Sequence, residues 1–159
     1  LQPRYSQVAD GLVAELKRLL GERLVSVVFF GSVARGEARR DSDIDVLVVA
    51  EGLPKGRFAR QDLFMQAESG LKLWLDEMWQ AGYAVDFSPI MLTPEEANRL
   101  RPLYLDMVDD AVIRYDRDGF FHSVLDRLRE LGAKRVKVGK LWYWDLKPDL
   151  KFGEVVEIE

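Results

Sequence analysis

The chain has no cysteine and only one histidine in 159 residues. Without thiols there is no disulfide framework and no thiolate metal site, and a single imidazole leaves little room for a zinc centre. Nor is positive charge in excess. Lys and Arg number 23 against 27 Asp and Glu, a net charge of −4. That sign argues against broad electrostatic binding to DNA or RNA, whose phosphates reward surplus Lys and Arg, so nucleic acid is not an expected partner. No apolar run approaches the length of a membrane span, and no signal-peptide pattern opens the sequence; a cytoplasmic protein is the expectation. Internal repeats and low-complexity segments are missing too. What is there is a globular balance, 48% hydrophobic and 31% charged, in a length that fits one domain with a sizeable core.

One stretch carries chemistry: VSVVFFGSVARGEARRDSDIDVLVVA, from Val25 to Ala50. Val25 to Phe30 is apolar at almost every position and rich in β-branched and aromatic residues, which suits a central strand buried on both faces. Ile44 to Val49 is equally apolar, except that Asp45 sits inside it and Asp43 just before it. Residues two apart in a strand face the same side, roughly 6–7 Å apart, so Asp43 and Asp45 point together at the mouth of a buried element. Like charges held that close repel, the more so in a low dielectric. A divalent cation removes the repulsion, and all-oxygen ligation of this kind suits Mg²⁺. Gly31 ends the first strand, and a glycine there lets the backbone come close to a ligand. Backbone N–H groups at a turn entering a helix form a ready phosphate site. Ser32 adds a hydroxyl, and Arg35, Arg39 and Arg40 add positive charge. Phosphate donors beside paired carboxylates indicate a metal–nucleotide site. Blander readings exist for most of these residues: Asp43 as a strand-entry cap, Gly31-Ser32 as a strand-ending turn, Arg39 and Arg40 as solvated loop residues. Asp45, with apolar neighbours on both sides, is hard to explain in such a way.

Gly31-Ser32, ten intervening residues and Asp43-Ile44-Asp45 resemble the signature of the polymerase β-type nucleotidyltransferase superfamily. The fuller string GSVARGEARRDSDIDVLV resembles its small prokaryotic members, the minimal nucleotidyltransferases often encoded beside HEPN-domain proteins. The resemblance covers about residues 8 to 118. It implies an α/β (α+β) nucleotidyltransferase fold, with a mixed β-sheet packed with helices, over a core of residues 1–118. Residues 119–159 would then be an extension, a C-terminal helix and an aromatic-rich β tail packed on the core. The family expects a third carboxylate on a later strand, and YAVDFSPIML offers Asp86, whose plain alternative is pairing with a basic residue. By resemblance, Asp43, Asp45 and Asp86 are the catalytic residues and hold two Mg²⁺ ions, Asp86 also helping to activate an attacking hydroxyl. Gly31 and Ser32 cradle the β- and γ-phosphates, and Arg35 adds a phosphate contact. The implied reaction moves a nucleoside monophosphate, AMP from ATP, to a hydroxyl, with release of pyrophosphate. The implied acceptor is a tyrosine of a HEPN toxin partner, which makes this chain the antitoxin. Two other readings stay open: a non-catalytic antitoxin or binding module acting by protein contact, and nucleotidyltransfer to a small molecule such as an aminoglycoside. The intact three-acid set argues against the first, and the short extension after the core argues against the second.

The remaining elements follow from periodicity and punctuation. Val8 to Leu20 reads as a helix stopped by Gly21, and Gly52, Pro54 and Gly56 mark a loop. Arg57 to Gln80 reads as one long helix, which Gly70 interrupts or bends, with Phe58, Phe64, Leu71, Trp74, Leu75 and Met78 taken as core. Tyr83 to Leu92 is the third strand, with Asp86 near its start. Thr93-Pro94-Glu95-Glu96 opens a helix, Leu103 to Val108 forms another, and Ala111 to Tyr115 is a short strand. Arg117-Asp118-Gly119 is a turn, and Phe120 to Leu131 is an amphipathic helix stopped by Gly132. His122 reads as a surface or interface residue, and Asp109, Asp110 and Asp116 as surface and turn residues rather than catalytic acids. In the tail, Lys134, Arg135, Lys137 and Lys140 lie close to Trp142, Tyr143 and Trp144. An arm packed on the body is the favoured reading there; the functional one is a stacking surface with a basic rim for a base or a partner protein, the partner preferred, and the aromatic-rich tail leaves room for a homodimer.

Overall fold

In a computed structural model, which describes residues 1–131 and beyond them the backbone of residues 134–138, 141–145 and 156–157, the chain begins with helix α1 (Pro3–Leu20). Proline suits the first turn of a helix because its fixed φ is already helical and its missing N–H is not needed there. The helix starts ahead of the expected Val8 because Tyr5 is already buried, its hydroxyl donating to the Arg39 carbonyl at 3.0 Å. Strand β1 (Leu24–Phe30), the one-turn helix α2 (Gly31–Ala34) and strand β2 (Ile44–Ala50) follow. Next come α3 (Arg57–Ser69), α4 (Lys72–Gln80), β3 (Phe87–Leu92), α5 (Pro94–Ala97) and β4 (Arg99–Leu100). After a 3-10 turn at Pro102–Asp106, β5 (Val112–Asp116) leads to α6 (Phe120–Glu130). Beyond it β6 (Lys134–Val138) and β7 (Leu141–Asp145) pair as an antiparallel hairpin, and β8 (Val156–Glu157) pairs antiparallel with β4. The expected helix stop at Gly132 and the side chains of Trp142, Tyr143 and Trp144 with their basic neighbours lie outside the described residues. No described helix is long and apolar enough to cross a membrane.

The central sheet is mixed, with strand order β3-β2-β1-β5. The pairs β1–β2 and β1–β5 are antiparallel, and β2–β3 is parallel. Both central strands are buried on both faces, which is why they lack the alternation of a half-exposed strand. On one face Val27, Phe29, Ile44, Val46 and Val48 pack against α1, α3 and α4 through Leu12, Leu16, Phe64 and Met78. On the other, Val28, Phe30, Leu47 and Val49 pack against the 3-10 turn and α6 through Tyr104, Phe121 and Val124. Asp45 alternates in phase with Leu47 and Val49, so it belongs to the second face.

Two expectations change here. The long helix is two helices, because the chain breaks at Gly70 and Leu71. A Cβ on Gly70 would lie 2.3 Å from the Glu15 carboxyl carbon, so glycine lets the break pass close to α1, and Leu71 drops into the core. The break resets the helical phase, and Trp74 of α4 is exposed while Leu71 and Met78 are buried. Phe58 is 81% exposed because it stands six residues, about 240°, from the buried Phe64 on the same helix. The third strand begins at Phe87 rather than Tyr83. Tyr83 N donates to the Met78 carbonyl and Ala84 N to the Arg40 carbonyl, so those backbone groups are engaged by a turn and a loop instead of a ladder.

Candidate active site

Phe30, the last residue of β1, lies opposite Asp45 of β2. The next residue, Gly31, therefore comes up against the aspartate. A Cβ there would lie 2.2 Å from Asp45 Oδ2, and the backbone sits at φ +75. Glycine satisfies both the space and the conformation. Ser32 follows, partly buried, in the single turn of α2, and its carbonyl accepts from Glu37 N at 2.9 Å. Asp45 is partly buried between the fully buried Ile44 and Val46. Burial pushes its carboxyl up, Asp43 pushes it further, and the Arg35 guanidinium opposes both. The two aspartates thus act on each other as like charges, as the strand period requires. Asp43 itself is exposed, with Ser88 Oγ 3.5 Å from its Oδ2. Arg35 donates from Nε to Glu37 Oε2 at 3.1 Å. Arg39 is held by its backbone, N to Ser42 Oγ at 2.7 Å, and Arg40 sits over the Tyr83 ring at 5.8 Å.

Asp86 is exposed just ahead of β3, and its carbonyl accepts from Ile44 N at 2.8 Å. Because Ile44 lies opposite Phe87, Asp43 and Asp86 stand at the heads of adjacent parallel strands. Both line one cleft of 410 Å³, together with Asp41, Asp76, Trp79 and Tyr83. Asp86 also acts on Glu68 of α3, whose carboxyl is pushed up by burial and then by Asp86. Asp43 and Asp45 are therefore a pair, and Asp86 shares the cleft with Asp43 while facing a second acid. Among the described residues no three His, Cys, Asp or Glu groups converge on one metal position. The pair still fits a hard divalent cation, since Mg²⁺ is commonly held by one or two carboxylates with waters and substrate phosphates completing the shell.

Residues 10–155 match the family model described as nucleotidyltransferase domain. The chain belongs to this family. It is similar to putative protein adenylyltransferase MJ1305 of Methanocaldococcus jannaschii, 31% identical over 134 residues that cover 83% of this chain and 85% of that protein. It is also similar to protein adenylyltransferase MntA of Thermococcus cleftensis, 40% identical over 60 residues, 37% of this chain and 59% of that protein. In fold it resembles the crystal structure of a toxin-antitoxin MntA-HpeT mutant, with TM-score 0.50 at 17% identity, covering 77% of this chain and 88% of that one.

Three residues near the acids of this nucleotidyltransferase carry no signal in the motif: Glu68, Ser88 and Trp79. Each reaches the site from a different element, so nothing in the local spacing announces it. Asp116 corrects an expectation in the opposite direction. It is no surface residue: its side chain is 6% exposed. It accepts from Ser26 Oγ at 2.6 Å, Phe121 N at 2.8 Å and His122 N at 3.0 Å. His122 is exposed, as expected, with Nδ1 2.7 Å from Asp116 Oδ2. Asp109 lies exposed in a turn.

Proposed function

We propose that this nucleotidyltransferase transfers AMP from ATP, with Mg²⁺, to a hydroxyl of a protein, as the antitoxin of a HEPN-domain toxin whose tyrosine is the acceptor. The observation that carries the chemistry is Asp45, held partly buried against Gly31 and facing Asp43. Such a pair destabilises the chain unless a cation joins it. The choice of AMP and of a protein acceptor is supported by the relatives, of which the one 31% identical is a putative protein adenylyltransferase. A contact-only antitoxin has no use for a like-charged pair beside a glycine cradle.

Asp43 and Asp45 would hold two Mg²⁺ ions, with Asp86 completing the one on the nucleophile's side. When bound, these ions neutralise the triphosphate and stabilise the attacking and leaving oxygens of an in-line displacement. The backbone N–H groups of Gly31 and Ser32 and the Ser32 hydroxyl bind the β- and γ-phosphates, and Arg35 exchanges Glu37 for a phosphate oxygen. Asp86 takes the proton of the attacking hydroxyl. The acceptor oxygen bonds to the α-phosphorus, the bond from that phosphorus to the bridging oxygen breaks, and pyrophosphate leaves. Most of the rate enhancement then comes from positioning and charge neutralisation.

Calorimetry with AMP-PNP tests the site, with and without Mg²⁺, on the native protein and on Asp43→Asn/Asp45→Asn. Binding that needs Mg²⁺ and vanishes in the double variant is expected. Incubation with α-labelled ATP and the HEPN-domain protein of the same cell then tests the acceptor. Label on a tyrosine of that protein is the expected result. Absence of nucleotide binding by a well-folded protein would sink the catalytic reading.

A further inference from the structure

We infer that Trp79 is the positioning residue on the acceptor side, stacking on the ring of the incoming aromatic hydroxyl while Asp76 and Asp41 hold basic residues that flank it. This rests on the AMP-transfer reading above and assigns the residues that receive its acceptor. Three observations support it.

The sheet order places the two flanks of the site on opposite sides of β2. Gly31, Ser32 and Arg35 follow β1; Asp86 precedes β3; β2, with Asp43 and Asp45, runs between them. An in-line displacement needs the leaving pyrophosphate and the attacking oxygen on opposite sides of the phosphorus. With the phosphates on the β1 flank, the acceptor enters from the β3 flank, which is where the cleft lies.

The charge of that cleft beyond the metal-holding aspartates suits a basic acceptor. Asp41 and Asp76 line it in addition to Asp43 and Asp86, and among its described lining residues there is no lysine or arginine. With Asp43 and Asp86 taken up by the cations of the proposed site, Asp41 and Asp76 remain to draw in a hydroxyl flanked by lysine or arginine.

Finally, Trp79 is 68% exposed at the lip of this cleft. Asp76 stands three positions before it on α4, on the same side of the helix. An indole left open to water beside the acids is an anchor without its partner, and aromatic rings gain most from stacking on another ring. Tyr83, which also lines the cleft, is already engaged, with the Arg4 guanidinium 4.2 Å from its ring centre. The Trp79 indole has no such ring contact or side-chain hydrogen bond among the described residues.

The test is steady-state AMP transfer to the HEPN-domain protein of the same cell by the native protein, Trp79→Ala, Trp79→Phe and Asp76→Lys, with calorimetry for Mg²⁺ and AMP-PNP on each. Trp79→Ala should raise KM for the acceptor about three- to tenfold, with kcat and AMP-PNP affinity unchanged. Trp79→Phe should restore most of the loss, and Asp76→Lys should raise KM for the acceptor by charge reversal. Unchanged KM in Trp79→Ala overturns the inference while the AMP-transfer reading stands. Weakened AMP-PNP binding in Trp79→Ala overturns it too, by placing the indole on the nucleobase. If the native protein binds nucleotide but labels no protein, the AMP-transfer reading fails and this inference with it.

Discussion

At Gly31 a single hydrogen decides whether the aspartate pair can exist. Any side chain would meet Asp45 Oδ2 and force a left-handed backbone conformation on a residue that resists it. Gly31→Ala should leave the far-UV spectrum native and cut the proposed AMP transfer by about a hundredfold or more, because a displacement near 1 Å at reacting groups has that effect. A parallel loss of AMP-PNP affinity in calorimetry is expected. Asp45 makes the opposite contribution to folding. Burial and Asp43 raise its pKa above the ordinary aspartate value, so the folded chain binds its proton more readily than the unfolded chain does. As pH rises from the ordinary aspartate range through the raised value, the metal-free protein loses stability, and the full penalty is present above that raised value. Asp45→Asn should therefore raise Tm by a few degrees in EDTA at pH 7 while abolishing Mg²⁺-dependent binding. A lower Tm in differential scanning fluorimetry would show that Asp45 is held by a favourable contact instead.

Among the elements, α6 depends on an acid outside itself. Gly119 at its N-cap supplies no side-chain hydrogen bond. Asp116, at the end of β5, accepts from the first free N–H groups of the helix and from Ser26 in β1, joining strand, strand and helix at one carboxylate. Burial alone would raise this group; the hydrogen bonds from Ser26, Phe121 and His122 outweigh it and hold the carboxyl below the usual aspartate range. The stability it contributes is complete above about pH 4 and is lost as pH falls through the depressed value. Asp116→Ala should cost about 2–4 kcal/mol in urea melts at neutral pH, the sum of a lost cap and an orphaned buried hydroxyl. The gap between native and variant should narrow at acid pH. A constant gap from neutral to strongly acid pH would remove the carboxylate's charge from the explanation.

At the scale of the whole molecule, the four-strand order brings three separate segments to one edge. The heads of β2 and β3 and the end of β1 all open there, between the α1, α3 and α4 layer and the α6 layer. A ligand that bridges these segments should stabilise the fold as a unit. Mg²⁺ and AMP-PNP at a hundred times the dissociation constant should add about 2.7 kcal/mol and raise Tm by several degrees. AMP-PNP in EDTA should leave Tm where it was. A rise of equal size without Mg²⁺ would mean that the triphosphate is bound by the protein's own cations, away from the aspartates.

The features legible in the chain are those set by neighbours in sequence. Two buried strands, the shared direction of Asp43 and Asp45, and the turn at Gly31 follow from a period of two and one glycine. The amphipathic α6 and the capping box at Thr93 and Glu96 follow in the same way. The position of Asp86 was legible only to within the strand it was assigned to. Whether residues 83–86 extend the ladder depends on a local turn to Met78 and on Arg40, which is distant in sequence and engages the Ala84 backbone. The face that Trp74 presents follows the break at Gly70, which lies against Glu15 of α1, whereas Phe58 lies on a different face of α3 from the buried Phe64. Asp116 as a cap, Glu68 beside Asp86 and Trp79 at the lip of the cleft belong to the same class. Side-chain period is a local property of the backbone, so sequence determined the motif. Which charges and rings meet across the sheet edge is set by packing between distant segments, so only the tertiary structure decided which of them stand beside the aspartates.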